Sequence, residues 1–398
     1  MKRFDITFFY GPHPEYVVQD EVIADMAASG ITLAQLNQET AISKQALPIM
    51  QKYGLRADVG DPRIHKLYNE NDFANVDAVV KQVVEDYAAF DNVEGFDICD
   101  EPHSEAFPIL GEIVKAFRKY APEKETVINL FPNYASPEQL RDTDYTAHLE
   151  HFVQQVEPHF LSYDHYHFLG RQKVGGDDGN EDERERLIRE SCSKTEDRGG
   201  FFENIEEVRR VGLESGLEQM LIVLLVEHGP YRNLTRAELL WEVNMCLAYG
   251  FHRISYFTYW TPDCGNEFWQ WDNGMCDLQG NKKPHYYDVQ AINKSIMPIG
   301  EYLFNTTSAA VFHTGELEAG AKAFAGYGPV NSIEGGNAVI GFFEDGSAYL
   351  VNRDYQNAAT FTVKANGAIA RWENGTFMPG DSTLTVTLAA GEGVLLRF

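Results

Sequence analysis

The chain has 398 residues, 44% of them hydrophobic, and 33 Lys and Arg against 60 Asp and Glu, for a formal net charge of -27. Nucleic acid and anionic membrane surfaces demand clustered cations to displace counterions, and no basic run is present, so both are excluded as partners. The length and apolar fraction suit one large domain with a sizeable core plus a smaller one, and neutral small molecules are the natural ligands.

The first segment, FDITFFYG, reads as a strand with no cleavage-site pattern. The five cysteines are Cys99, Cys192, Cys246, Cys264 and Cys276, an odd number without CxxC or zinc spacing. A soluble protein of a reducing, cytoplasmic compartment is expected; a homo-oligomer is left open. From the first strand onward one theme repeats: an amphipathic helix, a glycine, a short apolar strand. Gly30, Gly54, Gly216 and Gly250 sit where a left-handed residue closes a helix. Strands are expected at 4–11, 31–37, 55–60, 94–101, 125–131, 160–166, 219–227 and 252–260. Helices are expected at 18–29, 42–53, 74–89, 104–119, 136–155, 200–215, 235–249 and 285–303. Ser104, Ser136 and Thr235 supply N-caps, with Pro137 at N1 and Glu238 completing a capping box.

Eight alternating units over 1–305 predict a (β/α)8 TIM barrel in the α/β class. A doubly wound sheet is the runner-up, but no glycine-rich nucleotide loop follows the first strand. Beyond about 305 short alternating strands replace helical periodicity, with a hairpin at Asp345-Gly346. A small antiparallel β-sandwich is expected over 306–398. Between Leu169 and Gly199 runs a long, charged, glycine-rich loop, a solvated excursion or a lid.

Strand ends converge on one mouth in a barrel. The fourth strand ends in Asp97-Ile98-Cys99-Asp100-Glu101-Pro102, where proline halts the strand and leaves the acids at its tip. The seventh, Met220 to Val226, is wholly apolar and ends in Glu227, which places a carboxylate at the edge of a low-dielectric core. Around this pair the other strands deliver Asn37, Asp58, Asn129, Asp164, His165, Tyr166, His228, Tyr231, Trp260 and, in the last loop, Trp269. Two carboxyls, one protonated and one ionised, are what glycoside cleavage needs, and amides, phenols and indoles suit a sugar.

In these features the chain resembles the clan A retaining glycoside hydrolases. The resemblance is carried by Glu101 in CDEP, Glu227 in LLVEHG, His165-Tyr166 on the sixth strand and Trp260 in YFTYWTP. It implies a (β/α)8 barrel, Glu101 as acid/base, Glu227 as nucleophile, Tyr166 orienting that nucleophile, Trp260 stacking on substrate, and neither metal nor cofactor. The clan usually has Asn before the acid/base, where this chain has Asp100. Two other readings are a metal-dependent barrel hydrolase or isomerase using Asp97, Asp100, Glu101, Asp164, His165, His167, Glu227 and His228, and a non-catalytic sugar-binding barrel.

Overall fold

A computed structural model describes residues 3–170, 196–263 and 271–398. Eight parallel strands form a nearly closed barrel: β1 (Asp5–Phe9), β2 (Leu33–Asn37), β3 (Arg56–Gly60), β4 (Val93–Asp100), β5 (Glu125–Leu130), β6 (Phe160–Asp164), β7 (Glu218–Leu224) and β8 (Arg253–Phe257). Their order is β1-β8-β7-β6-β5-β4-β3-β2. Across the β1–β2 seam the amide of Thr32 donates to the Ile6 carbonyl (2.9 Å), and the Ile6 amide to Thr32 Oγ1 (3.1 Å). Several strands end earlier than the sequence suggests, at Phe9, Leu130, Asp164, Leu224 and Phe257, while β2 and β3 are trimmed only at their amino ends.

The expected helices are present, with local differences that follow from capping. Ser136 and Thr235 form capping boxes. Ser104 caps nothing; its hydroxyl donates to the Arg141 carbonyl, and a single 3-10 turn precedes the helix Phe107–Tyr120. The helix expected over 136–155 splits into Pro137–Leu140 and Tyr145–Val156, broken by left-handed Arg141 and restarted by the Asp144 cap. A further helix, Pro62–Glu70, follows β3; Asp61 caps it by accepting from the Arg63 amide at 3.0 Å.

The lower barrel is closed by ion pairs. Arg56 joins Asp5 and Glu94, and Arg253 joins Glu125 (2.5 Å) and Glu218 (3.3 Å). Above them an apolar layer of Val127, Phe160, Met220 and Ile222 packs with Phe9 and Phe257. This is a filled core and not a pore, so any ligand must lie above it.

The last barrel helix, Pro284–Leu303, leads into antiparallel strands β9 (Ser308–His313), β10 (Val330–Glu334), β11 (Ala338–Phe343), β12 (Ser347–Asn352), β13 (Ala359–Ala365), β14 (Ala370–Glu373), β15 (Thr376–Pro379), β16 (Thr383–Leu388) and β17 (Gly393–Arg397). They make a six-stranded sheet, β15-β14-β17-β12-β11-β9, facing a three-stranded one, β10-β13-β16. Alternation splits β11: Ile340 and Phe342 enter the sandwich core, while Val339 and Phe343 join the barrel core. The sheet rests on the helix Arg236–Ala248. Trp241 Nε1 donates to the Arg353 carbonyl (2.9 Å) and the Tyr349 hydroxyl to Asn244 Oδ1 (2.8 Å).

Candidate active site

β4 bulges between Asp97 and Cys99 and stops at Asp100. Glu101 then takes a left-handed φ of 46°, with its amide donating to the Asn129 carbonyl at 2.8 Å. These turns bring Asp97, Asp100 and Glu101 to the mouth, where Asp164 at the end of β6 makes a fourth acid. Asp97 is buried and accepts from Gln35 Nε2 and Asn37 Nδ2, both at 2.7 Å. Burial raises its pKa against those hydrogen bonds and the nearby His65. Asp100, exposed by area but set in the rim, is raised to about 6, by desolvation opposed by its Asn129 hydrogen bond and helped by Asp97. Half-buried Glu101 is raised to about 7, by desolvation and then by the charge of Asp100, against a hydrogen bond with Asp164. Asp164 is raised well above the carboxylate range, by burial first and then by Glu101 and Asp100. Asn129 ties two of the four together, its Nδ2 donating to Asp100 Oδ1 (3.0 Å) and Asp164 Oδ1 (2.9 Å).

Beside the acids, Phe9, Asn37, His65, Tyr68 and Asn69 complete a cavity of about 290 Å³ with Asp97, Cys99 and Asp100. It opens between the tips of β2 to β4.

The other side of the mouth is aromatic. Beyond β7 the amides of Leu225 and Val226 both donate to the Phe257 carbonyl at 2.8 Å. Half-buried Glu227 then pairs through its backbone with Asp272, and Asn273 Nδ2 donates to its Oε2 at 2.8 Å. The loop after β8 thus folds back to hold Glu227. His228 stacks on Trp271 with centroids 4.2 Å apart and planes within 4°. Phe257 stacks on Tyr166 at 5.1 Å, and Tyr231 meets Tyr166 edge-on at 5.3 Å. Arg198 lies over the Tyr134 ring at 3.9 Å, and its Nη2 donates to the Tyr231 hydroxyl at 3.2 Å.

Of the residues singled out from sequence, Glu101, Glu227, Asn37, Asp100, Asp164, Tyr166, His228 and Tyr231 come to the mouth or its wall. Four do not behave as expected. Asp58 is buried inside the barrel, between Gln35 and Gly95 in register. Asn129 sits at the mouth floor with both amide hydrogens given to acids, so none remains for a sugar. His165 points outward: it is buried, bonded to Asn204 Oδ1 at 3.0 Å, and desolvation lowers its pKa to about 3. Trp260 is fully buried against Tyr16 and His13. His167 also turns away, stacking on Trp241 at 5.1 Å, so the histidines of the metal-site reading are not gathered. Trp269 and residues 171–195 of the long loop lie outside the described residues.

Gln35, Phe257, Asn273 and Arg198 were missed. Strand alternation was the available signal for the first two: on β8 Tyr256 faces the helices, bonded to Asn293, so Phe257 must face the mouth. No local pattern brings Asn273 to Glu227 or Arg198 to Tyr231.

No family model and no curated protein matches the chain. Among solved structures it is similar to a protein described as a glycoside hydrolase, with a TM-score of 0.58 at 11% identity over 99% of this chain and 92% of that one. It is also similar to the beta-galactosidase of the psychrophilic Marinomonas ef1, with a TM-score of 0.51 at 10% identity over 77% of this chain. The match spans 62% of the length of that beta-galactosidase. At these identities the likeness is one of fold: a (β/α)8 barrel carrying β-sheets. Among the described residues no helix is long and apolar enough to cross a membrane.

Proposed function

We propose that this chain is a retaining glycoside hydrolase acting on a small glycoside or oligosaccharide, with Glu101 as acid/base and Glu227 as nucleophile. The observation that carries the reading is the contrast between two strand-end glutamates separated by β5 and β6. Desolvation, and then the charge of Asp100, raise the Glu101 pKa to about 7, so it keeps a proton to give. Glu227 follows β7, and Asn273 donates to its carboxylate. A raised acid and an oriented carboxylate are the complementary pair that glycoside cleavage requires. Glu101 protonates the leaving oxygen while Glu227 attacks the anomeric carbon. Glu101 then takes a proton from the water that releases the sugar.

The walls support a carbohydrate. Asp100 and Asn37 offer hydrogen-bonding atoms on one side, and Phe257, Tyr166 and Trp271 offer ring faces on the other, matching the hydroxyls and C–H faces of a pyranose. The fold alone does not choose this chemistry; the acids and rings do.

The test is a panel of aryl glycosides with the wild type and Glu227→Ala. Hydrolysis by the wild type, its loss in the variant, and recovery as a glycosyl azide when azide is supplied are expected. NMR of the first-formed sugar should show the anomeric configuration retained. Sugar binding without turnover of any glycoside would refute the reading.

A further inference from the structure

We propose that Tyr355, on the loop between β12 and β13 of the sandwich, is a positioning residue for the aromatic wall of the mouth: its hydroxyl holds Asp197, and through the adjoining Arg198 it fixes the Tyr166–Tyr231 pair. This rests on the reading of the mouth as a sugar site, and it gives the C-terminal domain a part in substrate binding.

The contacts form a continuous chain. Arg198 belongs to no helix or strand, so tertiary contacts must set its place. On the mouth side it makes three. Its guanidinium lies on the Tyr134 ring, its Nε donates to the Tyr166 carbonyl at 3.2 Å, and its Nη2 donates to the Tyr231 hydroxyl at 3.2 Å. Tyr134 in turn accepts from the Tyr166 amide at 3.4 Å. The Arg198 backbone pairs with His167: its amide donates to the His167 carbonyl at 2.7 Å, and His167 Nδ1 donates to its carbonyl at 2.8 Å.

Asp197, the preceding residue, joins this unit to both domains. Arg232 Nη1 donates to its Oδ1 at 2.5 Å and to the Leu169 carbonyl at 2.5 Å, and Arg232 Nη2 is anchored on Glu238 Oε1 at 2.6 Å. The Asp197 Oδ2 accepts from the Tyr355 hydroxyl. His167 Nε2 lies 3.7 Å from the same oxygen, too far for a hydrogen bond, so among the described residues Tyr355 is its donor. The loop carrying Tyr355 is itself fixed. Asp354 Oδ1 accepts from the amides of Gln356 (2.7 Å) and Asn357 (2.9 Å), and Asn352 Nδ2 donates to the Asn357 carbonyl (2.8 Å). The Tyr355 ring meets Phe168 edge-on at 5.1 Å. A half-buried carboxylate with a guanidinium on one oxygen and a hydroxyl on the other is held in one orientation. Without the hydroxyl, Asp197 and the backbone beside it gain freedom, and Arg198 loses its fixed place among the phenols.

The experiment compares the wild type with Tyr355→Phe, which keeps the ring and removes the hydroxyl, on an aryl glycoside. KM should rise about three- to tenfold with kcat within about twofold, because a wall held less firmly weakens ground-state and transition-state binding alike. Tyr302→Phe removes a tyrosine–aspartate hydrogen bond elsewhere between barrel and sandwich, to Asp345, and should leave KM unchanged. In an Arg198→Ala background Tyr355→Phe should have no further effect, because the residue that transmits it is gone. An unchanged KM in Tyr355→Phe would overturn the proposal, and so would an equal rise in Tyr302→Phe or in the Arg198→Ala background. NMR of the arginine Nε–H groups reads the strut without turnover. The Arg198 signal, identified by its loss in Arg198→Lys, should exchange with water at least about tenfold faster in Tyr355→Phe, and an unchanged rate would also overturn the proposal. If no glycoside is cleaved, the catalytic reading fails while the arginine signal still tells whether Tyr355 holds Arg198.

Discussion

Glu101 holds two unfavourable conditions at once: a left-handed backbone and a carboxyl surrounded by acids. A non-glycine residue at φ 46° is uncommon, and the following Pro102 disfavours the right-handed alternative. The turn aims the side chain into the mouth, and its desolvated, negative setting holds the proton that a general acid needs. With Glu101 as the proposed general acid, kcat/KM should fall as pH rises through about 7, by about tenfold per unit above it. Glu101→Gln should lower kcat on poorly activated glycosides by about 10²–10⁴-fold, and by less with nitrophenyl leaving groups, which need no protonation. The same shift bears on stability. The folded pKa lies above the unfolded one, so the favourable contribution is complete below about 4.5 and is lost as pH rises to about 7. Discounted for part exposure, Glu101→Gln should therefore be more stable than wild type by about 1–2 kcal/mol at pH 8 and indistinguishable at pH 4, measured by urea unfolding.

Single elements decide which neighbours see the mouth. At the end of β6 and just beyond it, Asp164 and Tyr166 turn inward while Tyr163 and His165 turn towards the helices, as a period of two requires. Two tryptophans near β8 separate in the same way. Trp260 is 0% exposed and shares the core with Tyr16, whereas half-buried Trp271 lies flat on His228. Trp260→Ala should cost about 3–5 kcal/mol of stability, as deletion of a buried ring does. Trp271→Ala should leave the melting temperature nearly unchanged and raise KM several-fold, since its ring belongs to the wall proposed to face the sugar. Differential scanning calorimetry beside steady-state kinetics separates the two. Gly95 shows the opposite constraint on β4. A Cβ there would stand 2.7 Å from Asp58 Oδ1 and 2.8 Å from the Glu125 carbonyl, so the strand carrying the acids tolerates no side chain at that point.

At the scale of the molecule, barrel and sandwich share a core. Val339, Tyr349, Val351 and Leu395 of the six-stranded sheet belong to the same apolar cluster as the barrel helices. The Tyr249 hydroxyl meets His313 Nε2 at 2.9 Å, and Asn244 Nδ2 donates to the Gly391 carbonyl at 2.8 Å. Gly341 lets this sheet approach: a Cβ there would run into the Ala248 carbonyl oxygen. Gly341→Val should thus destabilise the whole chain by about 2 kcal/mol or more through overpacking at the seam. Calorimetry of the wild type should show one cooperative transition, and two separated peaks would show that the sandwich is an independent appendage.

The amino-acid sequence by itself determined the repeating helix–glycine–strand units, the change of texture near 305 and the two glutamates, because these are matters of period, capping and polarity within one segment. It also held, unread, the alternation that turns His165 outward and Phe257 inward. Only the tertiary structure decided that Asn129 spends its amide on two acids, that Asn273 returns from beyond β8 to Glu227, and that Asp58 lies below the mouth. Those facts depend on strand register around a closed barrel and on loops meeting across it. Hydrogen-bond partners that are 35 or 46 residues apart leave no trace in local pattern. The proton on Glu101 is partly of the same kind: it arises first from desolvation, which only folding brings about, and then from the charge of Asp100 beside it in the sequence.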